Sequence, residues 1–193
     1  MITGRELAFG LLGAWRLVRN DASGLQYFDR TPQGALRSFW VMLLVAPAYA
    51  VLVMLALNRG GVFEIGLRQI LLAGGIYIVG WLLFPVILLR LAPRLGRERE
   101  VPGYIAANNW TQILITALSL FLSAIATAVS NPIAELFNLT LLALVGLMQY
   151  RLLRHTMALT PPQCGLLVFA YLSLDLALSL LLLSSLVPVK LAA

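Results

Sequence analysis

Long apolar segments separated by short polar ones make up most of the chain after residue 37. Each apolar segment has roughly 20 or more residues, and an α-helix of that length, at about 1.5 Å per residue, crosses a hydrocarbon core about 30 Å thick. Five such segments occur, at about 38–57, 65–91, 104–129, 133–153 and 166–187. The pattern therefore predicts an all-α membrane protein whose residues 31–193 form a five-helix transmembrane bundle.

Helix-start signals mark three of these spans. A threonine or asparagine can cap a helix by accepting backbone N–H groups, and proline suits the first helical position, where its missing N–H is not needed. The three starts are Thr31-Pro32, Asn131-Pro132 and Thr160-Pro161-Pro162-Gln163. We expect the first, fourth and fifth spans to begin there.

Residues 1–30 are predicted to form a cytoplasmic segment with a short amphipathic helix over residues 5–19. Apolar and basic residues separate at helical spacing there. The apolar side has Leu7, Leu11, Trp15 and Val18, and the basic side has Arg5, Arg16 and Arg19. The helix is about 22 Å long, too short to span a bilayer. Its two faces favour the cytoplasmic headgroup layer, and packing on the cytoplasmic side of the bundle is the alternative. The polar stretch 20–30 is expected to be a loop.

Basic residues are distributed unevenly between the two sides of the predicted bundle. Of the 14 Lys and Arg residues, 11 lie in segments on the N-terminal side. The other three are Arg59, Arg68 and Lys190. Because basic loops stay in the cytoplasm, this split predicts a cytoplasmic N-terminus and a C-terminus on the outside.

The composition agrees with a membrane protein and argues against other classes. Charged residues make up 11% of the chain, whereas a soluble domain carries about 25%. The net charge of +6 arises in short segments between apolar runs, so topology explains it better than nucleic-acid binding does. One cysteine and one histidine exclude an internal disulfide and a zinc site of the usual Cys/His type, and no cofactor is predicted.

Asp175 is the outstanding polar residue because it lies near the middle of the fifth span. A carboxylate at the bilayer centre costs at least about 2.5–3.5 kcal/mol, so it is expected to face protein or water. Tyr171 and Ser179 lie on the same helix face, four residues to either side, and either could hydrogen-bond to it. A proton or ion relay, or a substrate contact, is the functional interpretation. The favoured interpretation is a protonated or hydrogen-bonded acid that fixes the packing of the fifth span.

Two further groups of residues are candidates for packing or for binding. Asn108 and Asn109, at the start of the third span beside Trp110, could cross-link helices or contact a ligand, and cross-linking is the favoured interpretation. Trp110 fits the aromatic belt at the membrane interface. In the second span, Gly74 and Gly75, with Gly80, predict a small-residue face that a neighbouring helix can approach closely.

The charged segment 90–100 is expected to be a solvent loop between the second and third spans. Its Arg94, Arg97 and Arg99 could contact anionic lipid headgroups, although topology control explains them equally well.

These features predict a non-enzymatic protein. No HExxH, GxSxG, P-loop or dinucleotide-binding motif occurs, and no carboxylate pair falls within the spans. The leading hypothesis is a scaffold that organises the membrane by binding lipid, a membrane-protein partner or a second copy of the chain. The alternative is a small transporter or channel component with a proton- or cation-sensitive site at Asp175. A membrane enzyme comes third, and a water-filled pocket joining Asp175 to other titratable groups would favour it.

The charged segment that leads into the third span resembles that of the Yip1-type membrane proteins. The residues that carry the resemblance are Arg94-Leu95-Gly96-Arg97, Gly103-Tyr104 and Asn108-Asn109-Trp110. The resemblance implies a five-helix, non-enzymatic protein of the bacterial inner membrane, with roles in membrane organisation, partner binding or transport. The acidic-tyrosine-glycine-proline motif of the eukaryotic members has no counterpart here, so their trafficking role is not implied.

Overall fold

The computed structural model describes residues 3–59 and 66–186, and this part of the chain is helical without a strand. Its α-helices are α1 (Gly4–Val18), α2 (Pro32–Ser38), α3 (Trp40–Arg59), α4 (Leu67–Leu95), α5 (Val101–Ala126), α6 (Asn131–Met157) and α7 (Pro161–Leu186). Short 3-10 helices occupy Ala22–Tyr27 and Glu98–Glu100. Five helical segments are long and apolar enough to cross a membrane, namely Pro32–Arg59, Leu67–Leu95, Glu98–Ala126, Asn131–Met157 and Pro161–Ser185. The predicted all-α architecture with five long apolar helices is confirmed, and it is typical of a multi-pass membrane protein.

All three predicted helix starts are confirmed, because helices begin at Pro32, Asn131 and Pro161, but the capping contacts differ between them. The Thr31 hydroxyl accepts a hydrogen bond from the Gly34 N–H at 3.1 Å, and α2 begins at the following proline. At the start of α7, the Gln163 side chain accepts from both the backbone N–H and the hydroxyl of Thr160, at 2.9 Å each. The prediction that Asn131 caps the fourth span is wrong. Ser130 occupies the cap position without a side-chain hydrogen bond, and Asn131 is already helical.

The sequence predicted a solvent loop over the charged segment 90–100, but the structure shows a loop over only part of it. Helix α4 continues to Leu95, and Gly96 ends it in the left-handed conformation at φ 62°. A glycine adopts this conformation without steric cost, and basic side chains such as Arg94 are favourable in the last turn of a helix. The predicted start of the second span at 65 and the predicted end of the fifth span at 187 lie outside the described residues, as does Lys190.

Helix α5 is the centre of the bundle. It contacts α1, α2, α3, α4 and α6, while α7 packs against α4 and α6. The first turns of α5, from Gly103 to Thr111, are buried as a consequence. Most of the other buried side chains come from the same end of the molecule, where α1 and α2 cover α5.

Helix α1 packs on the bundle through three small residues and Leu17 rather than through its predicted apolar side. Gly10, Gly13, Ala14 and Leu17 are buried, and a Cβ built on Gly10 would overlap the indole ring of Trp110. The predicted apolar side faces away from the bundle, and Trp15 is 52% exposed. Small residues on one helix face allow this close approach.

The aromatic-belt prediction for Trp110 is wrong, because α1 covers this side chain and leaves it 8% exposed.

The stretch 20–30 is a folded connection rather than the loop expected from its polarity. Its 3-10 helix places Gly24 against α1, and Phe28 is buried in the core. The Asn20 side chain lies 2.9 Å from His155 Nε2, and the Arg151 guanidinium donates to the Val18 carbonyl. These two contacts attach the N-terminal segment to α6.

The small-residue face predicted in the second span has no close neighbour in the described part of the chain. A Cβ built on Gly74 or Gly75 would meet no atom within 4 Å, and one on Gly80 would lie 3.8 Å from Leu178. Close packing is therefore found at α1 and not at these glycines of α4.

The packing of α1 predicts a position-specific effect of alanine. Gly10→Ala forces the helix away from Trp110, and overpacking of this kind costs about 1–3 kcal/mol. We expect faster amide hydrogen exchange throughout α1 in this variant. Gly4→Ala is the matched control, because a Cβ at Gly4 meets no atom within 4 Å. Equal exchange rates in the two variants would contradict the observed docking of α1.

Candidate functional site

Helix α5 carries a row of polar side chains on one face. Tyr104, Asn108, Gln112 and Thr116 follow one another at intervals of four residues, so they lie one above the other on the helix. The Tyr104 hydroxyl donates to Gln149 Oε1 at 2.8 Å, and Gln149 Nε2 donates to Asn108 Oδ1 at 2.8 Å. This buried chain of hydrogen bonds joins α5 to α6.

The same row continues towards α7. Gln112 Nε2 donates to the Tyr171 hydroxyl at 3.3 Å. Because Tyr171 lies one turn before Asp175, this bond holds α7 with its acidic residue turned towards α5. The polar row therefore leads from the packed end of the bundle to Asp175.

Asn109 belongs to a different contact from that of Asn108. Its Nδ2 donates to Ser38 Oγ at 2.9 Å, and the Ser38 hydroxyl donates to the Ala35 carbonyl at 2.6 Å. Asn109 is fully buried, and its Oδ1 has no partner among the described residues. Both asparagines make the hydrogen bonds between helices expected of them, but on different sides of α5.

A cavity of about 220 Å³ lies between α3, α4, α5 and α7. Its polar lining consists of Asn108, Gln112, Thr116, Tyr171, Asp175 and Ser179. Four of the five polar residues singled out from the sequence therefore come together, and Asn109 is the exception. The sequence analysis did not predict Gln112 and Thr116 as site residues. Their four-residue spacing from Asn108 places them on the same helix face and could have identified them.

Asp175 faces this cavity and is exposed. Within the described part of the chain its carboxylate makes no hydrogen bond, and the bonds to Tyr171 or Ser179 considered from the sequence are absent. A carboxyl group can fix helix packing only through a partner on a neighbouring helix. The geometry thus favours a role in the cavity over the packing role that the sequence alone favoured.

Aromatic rings form much of the remaining wall. The ring centroids of Tyr49 and Tyr77 are 4.5 Å apart, and those of Phe84 and Tyr171 are 5.1 Å apart. The Tyr77 hydroxyl donates to the Met42 carbonyl at 2.6 Å, which ties α4 to α3. The cavity is therefore bounded by packed rings as well as by polar groups.

An apolar groove of about 330 Å³ adjoins the cavity. It runs between α3 and α4, and its lining is apolar apart from the polar ends of Gln69, Tyr49 and Tyr77. Both tyrosines also line the polar cavity. The two spaces consequently meet at this pair of rings.

The three arginines proposed as headgroup contacts lie away from the cavity, at the end of α4 and just beyond it. Arg94 and Arg99 are exposed. Arg97 is partly engaged, because it lies 3.7 Å from the Glu100 carboxylate and donates to the Ala158 carbonyl at 3.4 Å. Arg94 and Arg99 are the better placed of the three to meet a lipid headgroup.

Comparison with family models, curated proteins and solved structures finds no match to this chain. The chemistry of the cavity is that of a binding site with one carboxylate, several hydroxyl and amide groups, and an apolar extension. Small-molecule sites commonly combine an apolar lining with a few converging polar groups in this way.

The hydrogen-bonded row predicts a graded stability effect. Gln149→Leu leaves the Tyr104 hydroxyl and the Asn108 carbonyl oxygen without their partner, which costs about 1–2 kcal/mol. Gln112→Leu removes one longer bond at a half-buried position, so its effect should be smaller. Unfolding in detergent micelles measures both differences. A Gln149→Leu variant as stable as the wild type would show that the row does not hold α5 and α6 together.

Proposed function

We propose that this chain is a non-enzymatic, multi-pass membrane protein that binds lipid and thereby acts as a scaffold for membrane organisation. The observation that carries the proposal is the contact between the polar cavity and the apolar groove at Tyr49 and Tyr77. An amphiphile has a polar head and an apolar tail, and the two adjoining spaces match these two parts. Because the long helices expose apolar surface suited to a bilayer, the ligand is expected to come from the bilayer.

The arrangement around Asp175 supplies polar groups for a bound ligand. The cavity joins this carboxylate to tyrosine hydroxyls, including that of Tyr171, and this is the observation that would favour a membrane enzyme as a third candidate. Tyr171 accepts a bond from Gln112, whereas Asp175 makes no hydrogen bond in the described residues, so its carboxylate can meet a ligand.

The proposal includes a location in the bacterial inner membrane with a cytoplasmic N-terminus. The excess of basic residues on the N-terminal side supports this orientation. Helix α1 then lies in the cytoplasmic headgroup layer, with its small residues on the bundle and with Leu7, Leu12 and Trp15 towards lipid. Membership of the Yip1-type group is part of the same proposal and rests on the resemblance in the segment that enters α5.

The charged end of α4 supports a second contact with lipid. Exposed arginines near a bilayer surface attract anionic headgroups. Arg94 and Arg99 are exposed, and they are the residues to which we assign this contact.

Lipid binding predicts that filling the groove will lower the amount of lipid that co-purifies. Gly74→Leu puts a large side chain into the groove without overlap at its Cβ, because no atom lies within 4 Å of that position. We expect native mass spectrometry in mild detergent to show lipid on the wild type and substantially less on this variant.

Gly165→Leu is the matched control, since Gly165 has equally open surroundings on α7 and lies outside the cavity and groove. Equal lipid retention in Gly74→Leu and the wild type would count against the groove as the lipid site. A wild-type protein that retains no lipid would count against the function itself.

A small transporter or channel component is the second candidate, favoured by the exposed carboxylate of Asp175 in the cavity. It predicts that Asp175→Asn abolishes proton- or cation-dependent flux in proteoliposomes while the thermal stability is retained. Asp175→Leu should abolish flux as well. Unchanged flux in both variants, or the absence of flux in the wild type, would favour the scaffold.

A further inference from the structure

The carboxylate of Asp175 has no cationic partner within the cavity. Among the described lining residues there is no lysine, arginine or histidine, and Asp175 forms no ion pair in the described part of the chain. A carboxylate in surroundings of low dielectric constant is strongly stabilised by a positive charge next to it. The cavity therefore favours a ligand that carries such a charge.

The walls of the cavity favour an organic cation. Tyr49, Tyr77, Trp81, Phe84 and Tyr171 all line it. The face of an aromatic ring attracts ammonium groups, and sites that bind quaternary ammonium ions are built from several such rings. A carboxylate next to aromatic rings supplies both attractions that an ammonium ion can use.

Two other classes of ligand fit the lining less well. Calcium and magnesium ions require six or more oxygen ligands, usually with several carboxylates, and the described residues contain no cluster of three or more His, Cys, Asp or Glu. A phosphate group pairs with arginine or lysine, which the described lining lacks. The head of the ligand is therefore an ammonium group without a phosphate beside it.

The apolar lining of the groove indicates that the ammonium group is attached to a hydrocarbon tail. Between α3 and α4 the lining includes Ala50, Val53, Met54, Ile70 and Gly74, none of which carries a polar side chain. Such a lining can hold a hydrocarbon chain through van der Waals contacts along its length.

We propose that the ligand of this site is a lipophilic ammonium ion, with its charged head beside Asp175 and its hydrocarbon tail in the groove between α3 and α4. The inference rests on the proposed lipid-binding function and narrows its ligand to a cationic amphiphile. The rings of Tyr49 and Tyr77 lie where the head joins the tail.

Isothermal titration calorimetry on the full chain in dodecyl maltoside micelles, which contain no ammonium group, tests the charge of the ligand. The probes are decyltrimethylammonium, decanol and decyl sulfate, with empty micelles titrated in parallel to subtract partition into detergent. We expect saturable binding of the ammonium probe and much weaker binding of the other two. Comparison of the probes on the wild-type protein requires no variant to fold.

Substitutions at Asp175 test its part in binding. Asp175→Asn removes the charge with little change in shape, and it should weaken binding of decyltrimethylammonium by about ten- to a hundredfold. Asp175→Glu keeps the charge and should retain binding. Glu135→Gln is the matched control, because it removes an exposed carboxylate of α6 that lies outside the cavity and the groove.

The groove is tested by the length of the probe. On the wild type, decyltrimethylammonium should bind far more tightly than butyltrimethylammonium. Gly74→Leu should reduce this difference by weakening the binding of the decyl probe. A length dependence that persists in Gly74→Leu would overturn the assignment of the tail to the groove.

Failure of this inference is distinguishable from failure of the proposed function. If decanol binds as tightly as the ammonium probe and Asp175→Asn changes nothing, the ammonium inference is overturned and lipid binding stands. If none of the three decyl probes binds and the purified protein also retains no lipid, both are overturned.

Discussion

A polar side chain within an apolar helix bundle must find its hydrogen-bond partner inside the protein, because the surrounding hydrocarbon offers none. This constraint governs the arrangement around α5, whose polar row runs through the interior. Gln149 of α6 bonds to Tyr104 and Asn108, and these bonds hold α6 beside α5. Tyr171 of α7 accepts a hydrogen bond from Gln112, and this bond holds α7 beside α5. Thr116 and the exposed carboxylate of Asp175 are left facing the cavity.

The two ends of the bundle differ as a result. At one end, α1 and α2 cover the first turns of α5, and small residues such as Gly10 allow close packing over Trp110. Beyond this end the helices separate, and the cavity and the groove between α3 and α4 occupy the space between them. A packed core next to the cavity holds its polar groups in place, and such preorganisation lowers the entropic cost of binding any ligand.

The length and hydropathy of the segments were enough to predict the five long helices, and the Thr31 cap was visible in the sequence. The spacing of large apolar residues predicted helix α1 but not its contact with the bundle, which uses Gly10 and Gly13. The stretch 20–30 was misread because its contacts with α6 are long-range; His155 lies 135 residues from Asn20. His155 lies in the last turn of α6.

The candidate site shows a similar division between local and distant signals. The spacing of Tyr104, Asn108 and Gln112 is readable from the sequence, but their partner Gln149 is 41 residues from Asn108. The residues near Asp175 in the sequence do not predict whether its side chain contacts a neighbouring helix or lines a cavity. That outcome depends on how far apart α3 and α4 lie, which is a property of the assembled bundle.

The bond between Gln149 and Asn108 also bears on how the chain enters a bilayer. Helices α5 and α6 are the least apolar of the five long segments, and only residues 127–130 separate them. Inserted singly, each would bring unpaired amide groups into hydrocarbon. Inserted together as a helical hairpin, they bury these amides against each other, so the pair crosses at a lower free-energy cost than its members do separately.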